Sequence, residues 1–145
     1  MQELLRIARV PAASASPDAT VHELCEQMIK ENVGAVVILQ EGKLVGIFSE
    51  RDVVGRVVLP GLDAKTTRVS EVMTRKVAAA QAGMSVDNAM EVMHRGRFRH
   101  LPLVNETGQV VGMLSVRHLL RHRVDQLDMR NADLLAYISA DGPGG

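Results

Sequence analysis

The chain repeats itself. GKLVGIFSERDVV, starting at Gly42, lies over GQVVGMLSVRHLL, starting at Gly108, at an offset of 66 residues. Upstream, TVHELCEQMIKENVGAVVIL from Thr20 lies over SVDNAMEVMHRGRFRHLPLV from Ser85 at an offset of 65, so the second hairpin loop carries one inserted residue. Such self-similarity restricts the fold to two copies of one supersecondary unit stacked on a common core. A linker near Leu59 to Thr67, containing Pro60 and Gly61, joins them. We divide the chain into repeat 1 at 1–61, linker and repeat 2 at 62–127, and an extension of the last helix with a disordered tail at 128–145.

The first copy shows what the unit is. Thr20 with Glu23 three residues on has the spacing of a capping box, and Leu24 and Met28 share one helical face, predicting a helix from about Val21 to Glu31. GAVVIL is a short apolar run rich in β-branched residues; the turn QEGK and a second run, LVGIF, follow it and complete a buried hairpin. Ser49 opens another helix through Val57, ended by Pro60. The unit reads β-α-β-β-α, and the chain is an α/β protein with two such repeats. The last helix starts after Ser115 and is predicted to reach Ile138. Leu120, Val124, Leu127, Asn131, Leu134 and Ile138 form a seam along it, which either packs on its own domain or makes a subunit interface.

Composition narrows the function classes. Aromatic residues are 2% and methionines number eight, so aliphatic side chains and Met must fill the core. Seventeen basic residues balance seventeen acidic ones, leaving no broad positive field for nucleic acid or anionic lipid. The single cysteine, Cys25, cannot form an intrachain disulfide and reads as a structural thiol. The N-terminal MQELLRIARV lacks the apolar stretch of a signal peptide and no run approaches the roughly 18 apolar residues of a membrane span, so a cytoplasmic protein without a membrane partner is expected. His22, His94, His118 and His122 show no metal-ligand constellation. No G-x-S-x-G, Walker loop or dinucleotide fingerprint is present, so no catalytic residue is nominated and no enzyme is expected.

The β-α-β-β-α repeat, the GKLVGIFSERD end of the first copy, RFRHLPLV in the second and VSEVMT between them together resemble tandem CBS domains, a Bateman module. The resemblance runs from about Val10 to Val124 and is greatest to small bacterial proteins consisting of little beyond one CBS pair. Their Leu-x-x-Tyr-Ile ending is matched by Leu134, Tyr137 and Ile138. It implies a pseudo-twofold pair whose sheets pack together with helices outside. It also implies a homodimer, and two clefts that take adenosine-containing effectors such as AMP, ADP, ATP or NAD.

By that resemblance Ser49 and Asp52 hold the ribose. Arg51, Ser14, Ala35, Val37 and Pro102 complete the nucleotide-binding set, with Arg99 and His100 facing the phosphates. The physical chemistry is compatible, because a carboxylate accepts two short bonds from vicinal hydroxyls and a helix N-terminus favours phosphate. A Ser-x-x-Asp at a helix start is equally a capping arrangement, and the two roles can coexist. Arg99 and His100 are adjacent on a strand, so alternation should send them to opposite faces. In the second copy Ser115 is followed by His118 where the acid should be, and a neutral imidazole accepts only one hydrogen bond. That cleft is expected to be degenerate.

The function expected is a regulatory sensor that binds an adenine nucleotide and signals to a protein partner the sequence does not name. The alternative is a structural dimerisation module with degenerate clefts. Nucleic-acid binding through Arg95, Arg97 and Arg99 is disfavoured by the zero net charge.

Overall fold

The computed structural model describes residues 2–130. The chain runs α1 (Gln2–Ile7), β1 (Ser14–Ala15), α2 (Val21–Glu31), β2 (Ala35–Gln40), β3 (Lys43–Ser49), α3 (Glu50–Asp52), α4 (Val69–Val72), β4 (Ala80–Gln81), α5 (Val86–Gly96), β5 (His100–Val104), β6 (Val110–Ser115) and α6 (Val116–Arg130). Two three-stranded sheets result, β1-β2-β3 and β4-β5-β6, each with a parallel pair followed by an antiparallel hairpin. This is the expected α/β pair of repeats. The predicted continuation of the last helix to Ile138, the Asn131, Leu134, Tyr137 and Ile138 positions and the terminal tail lie outside the described residues.

Local sequence explains the elements. The Glu23 N–H donates to Thr20 Oγ1 at 3.2 Å, fixing the start of α2, and Asn32 in the left-handed region at φ 54° ends it. Ser85 caps α5 in the same way through the Asn88 N–H. The β2–β3 hairpin turns at Glu41 and Gly42, both at positive φ, the two-residue geometry that matches strand twist. The inserted residue of the second hairpin falls in a longer turn, where Asn105 Oδ1 accepts from the Thr107 and Gln109 N–H groups. The helix after Ser49 differs from expectation in its winding. Only Glu50–Asp52 is α-helical, and Val53–Val58 forms a π-helical segment, with the Leu59 N–H reaching Val54 O at 3.0 Å. VVGRVV is poor in helix formers, and its β-branched residues and glycine give the tighter α form little advantage.

Strand alternation sorts the core into three clusters. Val36 and Ile38 point to the repeat 1 core with Leu24, Met28 and Phe48, while Leu101 and Leu103 point to the repeat 2 core with Ala89, Met93 and Leu114. The opposite faces meet between the sheets, where Ala35 and Val37 pack on Met113.

The segment leading into each repeat crosses to the other one. Leu4 of α1 is fully buried in the repeat 2 core, and Arg9 bridges β6 at Met113. Reciprocally, Val69, Val72 and Met73 are buried in the repeat 1 core, and Thr74 bridges β3 at Ile47. The glycines of the two LVG/VVG runs make room for these crossings. A Cβ at Gly46 would stand 3.1 Å from Thr74 O, and one at the equivalent Gly112 3.0 Å from Arg9 O. Neither repeat therefore completes its core from its own stretch of sequence.

Candidate functional site

Where the second repeat's leader passes the first repeat's helix start, polar groups converge on Asp52. Its Oδ2 accepts from the Ser49 N–H at 3.0 Å and from the Ser49 hydroxyl at 3.2 Å, and the Asp52 N–H returns a 3.4 Å bond to Ser49 Oγ. Its Oδ1 accepts from the Thr74 hydroxyl at 3.2 Å and lies 3.5 Å from Arg56 Nε. Arg56 in turn donates to Met73 O at 3.0 Å. The Asp52 side chain is only 13% exposed. A carboxylate offers about four acceptor positions; here Ser49 and Thr74 fill three of them, and Arg56 stands in ion-pair contact. A ligand that bonds Oδ1 competes there with the Thr74 hydroxyl and Arg56.

A second group gathers at the start of β5. His100 lies over Gly34, whose added Cβ would come within 3.0 Å of both His100 Nε2 and Glu50 Oε1. Burial pushes the His100 pKa below its ordinary value, the positive fields of His118 and Arg99 push the same way, and Glu50 opposes them. The imidazole is thus held in its neutral form at the junction of the repeats. His118 itself is exposed, and its N–H donates to Ser115 Oγ at 3.0 Å, half of the arrangement that Ser49 and Asp52 complete.

Arg99 faces elsewhere. With Arg51, Arg97 and His94 it rims a basin of about 450 Å³ on the α5/α6 side of the second repeat. The floor is apolar, made by Met90, Met93 and Phe98 from one side and Val116 and Leu119 from the other. Strand alternation separates the neighbours as expected, with Arg99 toward this basin and His100 toward repeat 1.

Of the residues named from the sequence, the structure brings Ser49 and Asp52 together, places Arg51 with Arg99, and sets His100 beside the first repeat. Ser14 is exposed and pairs with Val37 in the β1–β2 register. Ala35, Val37 and Pro102 are buried along the inter-sheet face, Pro102 opposite Met113. Thr74, Arg56 and Glu50 were not singled out from the sequence. Thr74 ends the VSEVMT stretch and was visible only as part of that motif; nothing local marks Arg56 as its neighbour. Cys25 is partly buried and burial raises its pKa, which makes it a poor nucleophile. Among the described residues no cluster of His, Cys, Asp and Glu is arranged to hold a metal ion, and no helix is long and apolar enough to cross a membrane.

Comparison with known proteins gives a consistent picture. The model of the CBS domain family matches twice, over residues 5–59 and 69–125. The meiotically up-regulated gene 70 protein of Schizosaccharomyces pombe is 41% identical over 100 residues, covering 69% of this chain but only 14% of that protein. The CBS domain-containing protein YhcV of Bacillus subtilis is 33% identical over 107 residues, 74% of this chain and 75% of the relative. A CBS domain protein from Pyrobaculum aerophilum complexed with AMP superposes with a TM-score of 0.77 at 28% identity, over 88% of this chain and 97% of that one. A CBS domain pair in complex with 5′-methylthioadenosine and S-adenosyl-L-methionine does so at 0.75 and 25%, over 84% and 95%.

Proposed function

Because the chain belongs to the CBS domain family through both of its repeats, we propose that it is a regulatory module that holds an adenosine-containing ligand at the Asp52 cleft and performs no chemistry on it. The observation that carries this reading is the meeting of Ser49, Asp52 and Thr74, a nearly buried carboxylate shared between the two repeats. Vicinal ribose hydroxyls are the right donors to take over the Oδ1 position now held by Thr74. Ser14 and the strand through Ala35 and Val37, with Pro102 opposite, border the adenine. His100 meets a phosphate there, and Arg51 and Arg99 add positive field. The relatives complexed with AMP and with two adenosyl compounds share only the adenosine half, which supports that class of effector over any single member of it.

The regulatory step follows from the same contacts. Thr74 belongs to the second repeat's leader, so a ligand that displaces its hydroxyl loosens that leader from the first repeat. The shift is as large as the ligand's differential affinity for the two arrangements. The output passes to a protein partner, with the chain acting as a cytoplasmic homodimer. Leu120, Val124 and Leu127 on one face of α6, 50%, 51% and 47% exposed, supply the dimer contact. Light scattering at micromolar concentration should then report twice the chain mass.

A second reading, a structural module with degenerate clefts, is favoured by the three bonds that already hold Asp52 inside the protein and by His118 in the place of its counterpart. A thermal-shift panel of AMP, ADP, ATP, NAD and S-adenosylmethionine decides between them. A ligand at 100 times its dissociation constant adds about 2.7 kcal/mol, and no shift with any of the five would overturn the sensor reading.

A further inference from the structure

Arg56 reaches both the Asp52 carboxylate and the backbone of the leader that crosses it. Its Nε stands 3.5 Å from Asp52 Oδ1, and its Nη1 donates to Met73 O at 3.0 Å and to Val72 O at 3.4 Å. Those carbonyls end α4, and the last acceptors of a helix have no partners within it, so a guanidinium suits them. Met73 immediately precedes Thr74, whose hydroxyl donates to Asp52 Oδ1 and whose N–H and C=O both pair with Ile47 at 2.9 Å. The winding changes from α to π between Asp52 and Arg56, and such turns are rare and recur at functional sites. The second repeat has a counterpart. At the offset of 66, Arg56 corresponds to His122, whose Nε2 lies 3.4 Å from Glu3 of α1, the leader that crosses onto that repeat. In both copies a basic side chain, four residues beyond the Asp52 or His118 position, clasps the incoming leader. Only in the first copy does that position carry a carboxylate for the clasp to share.

We propose that Arg56 is a positioning residue that couples ligand occupancy at Asp52 to the hold on the second repeat's leader, an inference that rests on the reading of Asp52 as the ribose acceptor. In the ligand-free arrangement the guanidinium lies between Asp52 Oδ1 and Met73 O, so carboxylate, clasp and leader support one another. A ribose hydroxyl bonded to Oδ1 draws the carboxylate away from Thr74 and Arg56 together, and the leader loses both holds. Arg56 therefore opposes binding. By reciprocity, removing the clasp tightens the ligand by the same factor by which it frees the leader. An arginine that only braced the fold would have no such link.

Hydrogen exchange of the Ile47 and Thr74 amides, followed by NMR in the full chain, reports the hold on the leader, and calorimetry with adenosine reports affinity. Arg56→Ala should lower the protection of both amides about three- to tenfold, the net contribution of one partly exposed hydrogen bond, and should tighten adenosine by a similar factor. Arg56→Lys keeps the charge but not the two-donor fork, and should fall between the two proteins in both measurements. Saturating adenosine should lower the protection in the unaltered chain and change it less in Arg56→Ala. Circular dichroism establishes that the variants are folded. The proposal is overturned if Arg56→Ala weakens adenosine, which would make Arg56 a ligand contact, or if it frees the amides without changing the affinity, which would make it a brace alone. Unchanged protection in Arg56→Ala without ligand overturns it as well. Failure of adenosine to bind the unaltered chain overturns the Asp52 reading and the coupling with it, whereas the other results overturn the coupling alone.

Discussion

Asp52 can be tested by removing its partners one at a time. Asp52→Ala deletes the acceptor of three bonds, two from Ser49 and one from Thr74, at a side chain only 13% exposed. Loss of the cap alone costs about 1 kcal/mol. The Thr74 bond to a charged acceptor adds a comparable amount, so about 2 kcal/mol of destabilisation is expected. Urea denaturation measures this directly, and for a domain of this size it corresponds to a fall of about 4–8 °C in Tm. Thr74→Val keeps the shape of the side chain and deletes only the hydroxyl, for about 1 kcal/mol. The two variants should behave in opposite ways toward adenosine. Asp52→Ala should weaken binding by about 1.5–3 kcal/mol, whereas Thr74→Val should leave it equal or tighter, because the hydroxyl that the ribose must displace is gone. If Thr74→Val weakens adenosine binding as much as Asp52→Ala does, Thr74 contacts the ligand and the exchange argument is wrong. If Asp52→Ala costs less than about 0.5 kcal/mol, the carboxylate is solvated and braces nothing.

Three further outcomes follow from the fold. His100 is held neutral, so on acidification the unfolded chain takes up a proton near pH 6.5 before the folded chain does. Stability should fall as pH drops below that value, and His100→Gln should reduce the slope of stability against pH by up to one proton. Leu4→Ala should cost about 2–5 kcal/mol by chemical denaturation, although Leu4 lies far from the second repeat in sequence; a loss under about 1 kcal/mol would mean that α1 does not complete that core. Gly46→Ala should cost about 1–3 kcal/mol through the collision with Thr74 O and Met73, and a neutral result would show that the crossing segment gives way freely.

Elements written in local pattern were legible. The predicted limits of α2, Val21 and Glu31, are those observed, because a capping threonine and an apolar stripe fix both ends within one stretch of chain. The hairpins followed from β-branched runs and turn residues for the same reason. What local pattern does not encode is the exchange of leaders. Leu4 meets Leu101 and Leu114 only after the whole chain has folded, and its own neighbours in sequence read equally well as a surface helix. The glycines at positions 46 and 112 were in plain view, but their meaning depends on which backbone crosses them. Thr74 was hidden by the same long-range step. The basin was hidden further, because Arg51 reads as the middle of a Ser-x-x-Asp cap until the second repeat is set beside it. The substitution of His118 for an acid was readable at once, since it needs only the two copies aligned.

That alignment, carried into three dimensions, sets different groups against each other at the two clefts. At the offset of the leaders, Thr74 corresponds to Arg9, and at the offset of the helices, Asp52 corresponds to His118. In the first cleft a hydroxyl donor meets a carboxylate acceptor, and the pair closes at 3.2 Å. In the second, a guanidinium and an imidazole take those places, and a neutral imidazole offers one acceptor nitrogen where a carboxylate offers about four positions. Arg9 instead turns to Glu31 of α2, 3.2 Å away, and ties its leader to the first repeat. The strand starts differ as well, with Gly34 and Ala35 in one copy and Arg99 and His100 in the other. Of Thr74, Asp52, Arg9 and His118, only Asp52 is a carboxylate. On the proposed reading, a ligand that offers vicinal hydroxyl donors meets a carboxylate at Asp52 and only an imidazole at His118, so titration of adenosine should give one tight site per chain, and two equal tight sites would refute the assignment.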